Sequence, residues 1–116
     1  MQIHIKRIYE GAAEEDGVRI LVDRIWPRGI SKEKAKLDAW IKDIGPSSEL
    51  RKWFGHKEER FREFKERYEK ELSQKQDLLE EIWQMAAGKT LTLLYSAKDT
   101  RHNQAVVLME FLQKNK

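Results

Sequence analysis

The chain has 116 residues, 40% apolar and 37% charged, which suits a single domain around one real core. It contains no cysteine, which excludes disulfide staples, thiolate catalysis and cysteine-ligated zinc. Its 23 basic and 20 acidic residues nearly cancel to a net charge of +3, which is weak support for nucleic-acid binding because dedicated binders carry a lopsided basic face.

Residues 2–9 alternate, with Ile3 and Ile5 on one face and His4 and Lys6 on the other, the pattern of a strand near a sheet edge. This opening lacks the apolar run of a signal peptide, and no stretch reaches membrane-spanning length, so a cytoplasmic protein without a membrane partner is expected. A turn-rich segment, 10–17, leads to Val18-Arg19-Ile20-Leu21-Val22, a β-branched run typical of a buried strand. Pro27 and Gly29 then stop it.

From Ser31, a plausible N-cap, the period changes. Leu37, Trp40, Ile41 and Ile44 fall at helical spacing, and Gly45-Pro46 reads as the stop. Ser47 or Ser48 caps a short helix with Leu50, Trp53 and Phe54. Phe61, Phe64, Tyr68 and Leu72 make a narrow stripe on a charged helix, and Ser73 with Gln76 fits a capping box for the next. That helix carries Leu78, Leu79, Ile82 and Trp83 inward and ends before Gly88. Core packing is the expectation for Trp40, Trp53 and Trp83. Thr90–Tyr95 is a third strand, and a polar break leads into a last helix with Ala105, Leu108, Met109 and Leu112 on one face. The expectation for 1–116 is one α/β domain, a small, mostly parallel three-stranded sheet with helices packed around it. The long helical crossover favours parallel pairing of the second and third strands, while the short first connection leaves the first strand's direction open.

Ligands of open α/β sheets bind outside the carboxyl ends of the strands. The turn Asp23-Arg24-Ile25-Trp26-Pro27-Arg28-Gly29 and the segment Ser96–Asn103 both fall there. Arg24 and Arg28 offer planar forks for phosphate or carboxylate, Lys98 and Asn103 add donors, and Trp26 supplies a flat wall. The structural alternative pairs both arginines with carboxylates and puts Trp26 in the core. Asp99 can orient His102 for proton transfer, or Asp99 or Thr100 can cap a helix with His102 in its first turn. His56 reads as a helix-boundary residue. Three histidines without ligand-like spacing leave no metal site expected, and no cofactor motif is present: there is no glycine-rich phosphate loop, Walker pair or nucleophile elbow.

Val22 through Gly29, Trp40 through Ser47, Leu50 through His56, Phe64–Tyr68 with Glu71-Leu72, and Leu94–Asp99 followed by His102–Ala105 and Leu108 resemble the YeaO-like bacterial proteins of domain of unknown function 488. The resemblance implies an α/β fold with a small parallel sheet. It also implies that the Trp-Pro-Arg-Gly turn and the Lys-Asp…His-Asn segment share one surface. It implies no reaction. The reading that follows is a small cytoplasmic protein that binds, or binds and acts on, an anionic phosphate- or nucleotide-like ligand. Arg24, Trp26, Arg28, Lys98 and Asn103 would bind it, with Asp99 and His102 as the proton-transfer pair. The alternatives are a nucleic-acid accessory using Arg24, Arg28, Lys32, Lys34 and Lys36 beside Trp26, or a protein-interaction module.

Overall fold

Four strands line up in one sheet, all running the same way, in a computed structural model that describes residues 2–115. They are β1 (Ile3–Arg7), β2 (Val18–Leu21), β3 (Ala39–Trp40) and β4 (Leu91–Tyr95), in the order β1-β4-β2-β3. The last strand in the chain is therefore an inner one. It pairs Ile3 with Leu91 through Arg7 with Tyr95 on one side, and Val18 with Leu91 through Leu21 with Leu94 on the other. Five helices accompany the sheet: α1 (Lys32–Ala35), α2 (Ser48–Phe54), α3 (Phe61–Ser73), α4 (Gln76–Ala86) and α5 (Gln104–Lys114). Among the described residues no helix is long and apolar enough to cross a membrane.

The fold is the expected α/β class, and the direction of β1, open from spacing alone, is parallel. Ten residues separate β1 from β2, room for about 33 Å of extended chain against about 16 Å of strand to retrace. The connection holds because Asp16, buried at its end, takes the Lys6 ammonium at 3.1 Å and the buried Arg19 guanidinium at 2.5 Å. Burial opposes the charge on Asp16, but bonds from the Ala13 amide, Lys6 and Arg19 outweigh it and lower its pKa.

Alternation along β2 and β4 divides the core. Ile20, Leu91, Leu93 and Tyr95 face the larger cluster, where Phe54, Phe64, Tyr68, Ile82 and Leu108 pack from α2 to α5. Leu21 and Leu94 face the other way, onto Ile8 and Ala35, with Trp26, Ile30 and Leu37 at the margin. One sheet face thus carries the long helices, and turns plus a single helical turn cover the other.

Three local expectations fail. Ser31 does cap a helix, accepting from the Lys34 amide at 3.1 Å, but that helix ends at Ala35 instead of running to Ile44. Lys36 turns left-handed, and Asp38 exchanges backbone and side-chain bonds with Arg19 at 2.8 Å each. The chain is thereby drawn out into β3, a fourth strand pairing with β2. The helical spacing was coincidental, because Leu37 and Ile41 join opposite faces of the sheet. Trp40 stays 39% exposed rather than in the core, while Trp53 and Trp83 pack half-buried against it. The capping box does not form either: Ser73 ends α3 with its hydroxyl on the Lys70 carbonyl, and Lys75 precedes α4.

Gly17 carries the first crossover past β4. Its φ is +65°, and an added Cβ would stand 2.3 Å from the Thr90 carbonyl oxygen that accepts from Val18. Gly17→Ala should therefore cost more than about 1 kcal/mol of stability in urea denaturation. A change within about 0.5 kcal/mol would show that the crossover relaxes freely.

Candidate ligand-binding site

Beyond the β2 run of apolar residues the chain places Asp23, only 8% exposed. Its Oδ2 accepts from the Ser96 amide at 3.0 Å and the Ser96 hydroxyl at 2.6 Å, and its Oδ1 accepts from the Gln104 side-chain amide. The Trp40 indole donates to its backbone carbonyl at 2.6 Å. Burial pushes the Asp23 carboxyl above its ordinary value, against the opposing bonds from Ser96 and Gln104 and the charge of Arg51. Among the described residues no cation lies within ion-pair distance of it.

The turn that follows is fixed by side chains on backbone carbonyls. Arg24 donates from Nε to Pro46 at 2.7 Å and reaches Gly45 at 3.1 Å through its outer nitrogen. Trp26 donates to Ile30 at 2.7 Å and meets Trp40 edge-on, ring centroids 5.3 Å apart. Tyr9 donates to the Arg28 carbonyl at 2.9 Å, and the Arg28 side chain is left exposed at the rim.

The facing wall is α2. Ser47 caps it, accepting from the Leu50 amide, and is itself held by Glu71, whose two oxygens take the Ser47 amide and hydroxyl at 2.8 and 2.6 Å. Just before Ser47, Tyr68 donates to Ile44 at 2.7 Å, and Lys75 donates to Asp43 and Gly45 at 2.6 and 3.0 Å. From this braced start α2 presents Arg51, Lys52 and Phe54. Half-buried Arg51 has an enclosed Nε with no hydrogen-bond partner.

Between turn and helix lies a cavity of about 1020 Å³, floored by Asp23, Ser96 and Gln104. Trp26 and Phe54 line its walls, and Arg24, Arg28, Arg51, Lys52 and Lys98 its polar side, against the carboxylates of Asp23 and Asp99. Arg24 is also paired with the Asp43 carboxylate at 3.7 Å, which leaves four cations against two carboxylates in the cleft.

Asp99 and His102 do meet: Nδ1 lies 2.9 Å from Oδ2, and Asp99 also accepts from the Arg101 and His102 amides at 2.9 and 3.0 Å. These bonds, that from Arg101 foremost, hold the Asp99 carboxyl below its ordinary value. His102 itself does not line the cavity. It lies in a separate shallow groove with its Nε2 3.7 Å from Glu58 and its ring edge-on to Phe61. The cap of α5 is neither Asp99 nor Thr100 but buried Asn103, which accepts from the Val106 amide at 3.1 Å and donates to the Asp99 carbonyl at 2.9 Å.

A family model described as the inactive DUF488-N3 subclade matches residues 2–116. The chain belongs to that family. It is 47% identical over 113 residues to the uncharacterized protein YeaO of Escherichia coli, covering 97% of this chain and 98% of that protein. It is 38% identical over 111 residues to uncharacterized proteins of Mycobacterium bovis and Mycobacterium tuberculosis, covering 96% of this chain and 93% of each. No solved structure matches it.

Among the cavity residues, Arg51, Lys52, Phe54 and His56 escaped sequence reasoning as site residues, although the family-like stretch Leu50–His56 contained all four. The signal was the basic pair Arg51-Lys52 inside that stretch, with nothing in spacing alone to show that α2 faces the turn.

Arg24 and Arg28 should separate in denaturation experiments. Arg24→Ala strips donors from buried carbonyls and should cost about 1–3 kcal/mol, whereas Arg28→Ala should stay within about 0.5 kcal/mol. Equal losses would contradict these roles. Carboxyl-detected NMR should show Asp23 titrating above its ordinary value. The folded state then holds that proton more tightly than the unfolded state does, so Asp23's share of stability falls as pH rises between the two pKa values. An ordinary or lower midpoint would mean that water or a cation reaches the carboxylate.

Proposed function

We propose that the chain binds an anionic, phosphate- or nucleotide-like ligand in the cavity between the Trp-Pro-Arg-Gly turn and α2. The observation that carries this reading is the cationic excess around a partly apolar cleft at the carboxyl ends of the strands. Charges at such a site are screened less than on an open surface, so they attract an anion more strongly there. Arg28, Lys52 and Lys98, exposed at the rim, hold the anion, and Trp26 with Phe54 walls a flat group. Arg24 acts one step back by fixing Gly45 and Pro46, and Asn103 by capping α5.

Binding is favoured over turnover. The Asp99–His102 pair points its free ring nitrogen at Glu58, outside the cavity, and the matching family model is described as inactive. Holding the loop that carries Lys98 is the role that fits this pair.

Thermal shift with inorganic phosphate, pyrophosphate and nucleoside monophosphates at low salt should raise Tm, an effect that weakens as salt is added. Arg28→Ala and Lys98→Ala should each weaken binding about tenfold, the loss of one charge-assisted contact, with the unliganded Tm unchanged. No shift with any of these anions would overturn the reading. Retardation of an oligonucleotide, lost on replacing the exposed Lys32, Lys34 and Lys36 by alanine, would favour the basic strip instead.

A further inference from the structure

The floor of the cavity is as informative as its rim. An ionised carboxylate offers about four acceptor positions. Asp23 fills three of them: two on Oδ2 with Ser96, and one on Oδ1 with Gln104. The fourth, on Oδ1, is unused. A buried carboxylate is costly unless it is paired with a cation or fully hydrogen-bonded, and this one has no ion-pair partner among the described residues. Arg51, whose charge acts on it from α2, keeps its own Nε–H unpaired. Asp99, the other carboxylate of the cavity, differs: its own loop already occupies it through Arg101 and His102.

Resting on the anion-binding reading above, we infer that Asp23 sets the ligand's orientation and class: a phosphorylated molecule with its anion at the rim and a ring amide edge, N–H beside C=O, turned down to Asp23 and Arg51. The N–H donates to the open position on Asp23 Oδ1, and the neighbouring carbonyl accepts from Arg51. A bare phosphate is disfavoured at this floor position, because it would set its negative charge against a buried carboxylate. It is confined to Arg28, Lys52 and Lys98. The ring then lies against Trp26 and Phe54, both of which line the cavity. Nucleoside monophosphates whose base carries an N–H next to a carbonyl have this combination of groups.

Isothermal titration of the intact protein with ligand pairs tests the inference without altering the fold. Uridine 5′-monophosphate should bind at least about tenfold more tightly than its N3-methyl analogue, the discrimination expected when a buried acceptor loses its donor. Guanosine 5′-monophosphate and its N1-methyl analogue should behave alike. Asp23→Asn should abolish the preference. Equal affinity for parent and methylated nucleotides, with phosphate still bound, would overturn the role of Asp23 and leave the rim reading standing. Absence of binding by every nucleotide and by phosphate would overturn both.

Discussion

Asp23 is the point at which the sheet becomes a site. Parallel strands end side by side, but nothing in their ladder binds the segments that leave them. Here one carboxylate takes two hydrogen bonds from Ser96, beyond β4, and one from Gln104, the first residue of α5. The same residue's carbonyl takes the Trp40 indole from β3. The segment that leaves β4, held at both its ends, and the end of β3 are therefore fixed relative to β2 by one residue. Arg7, ending β1, does similar work with its guanidinium on the carbonyls of Ser96 and Ala97 at 3.0 and 2.9 Å. The carboxyl ends of the three longer strands are thus tied to a single loop, and the cavity inherits its floor from that knot.

The far wall depends on a different device. Residues 43–47 form no regular element beyond a single tight turn, yet they set the start of α2 and so the position of Arg51. Four side chains hold them: Arg24 from the turn, Tyr68 and Glu71 from α3, and Lys75 just before α4. Burial raises the Tyr68 phenol far above its ordinary value, so it stays a donor at any working pH. Burial, and then the nearby Arg24, lower the Lys75 ammonium below its ordinary value, against the opposing charges of Glu71 and Asp43. Arg24 belongs to both walls at once. It leaves the turn that carries Trp26 and ends on the segment that carries α2, so one side chain links the two walls directly.

These two devices explain which features were readable in the sequence. β2 and β4 announced themselves because runs such as Val18–Val22 and Leu91–Tyr95 bury both faces of a parallel sheet. The stripes of α3 and α5, and the Ser31 and Ser47 caps, were equally legible, since their causes are local. The segment after Ala35 was not. Its spacing imitated a helix, but the bonds between Arg19 and Asp38 are long-range and override it. The same blindness applied to the site. Asp23, Trp26 and Arg28 lie in one contiguous turn and could be read together, whereas Arg51 enters only through the packing of α2 on α3, which spacing does not encode. His102 shows the converse: adjacency to Asp99 in sequence became contact in space, while its distance from the cavity was visible only in three dimensions.

The cost of this arrangement bears on what it is for. An unpaired buried N–H such as that of Arg51 costs about 1–3 kcal/mol, and a buried carboxylate without a cation costs more than that if it stays ionised. An apolar residue at position 23 would avoid that charge but leave the Ser96 and Gln104 donors without their acceptor. The Asp16–Arg19–Lys6 cluster at the other end of the strands makes the contrast inside this molecule: there the buried charges are matched, and the cluster closes a crossover. At the carboxyl ends Asp23 is buried on three neutral donors, and the Nε of Arg51 is enclosed without a hydrogen-bond partner. Buried carboxylates thus serve one small sheet in two ways: Asp16 closes a crossover through matched charges, and Asp23 joins the loops beyond the strands through neutral donors.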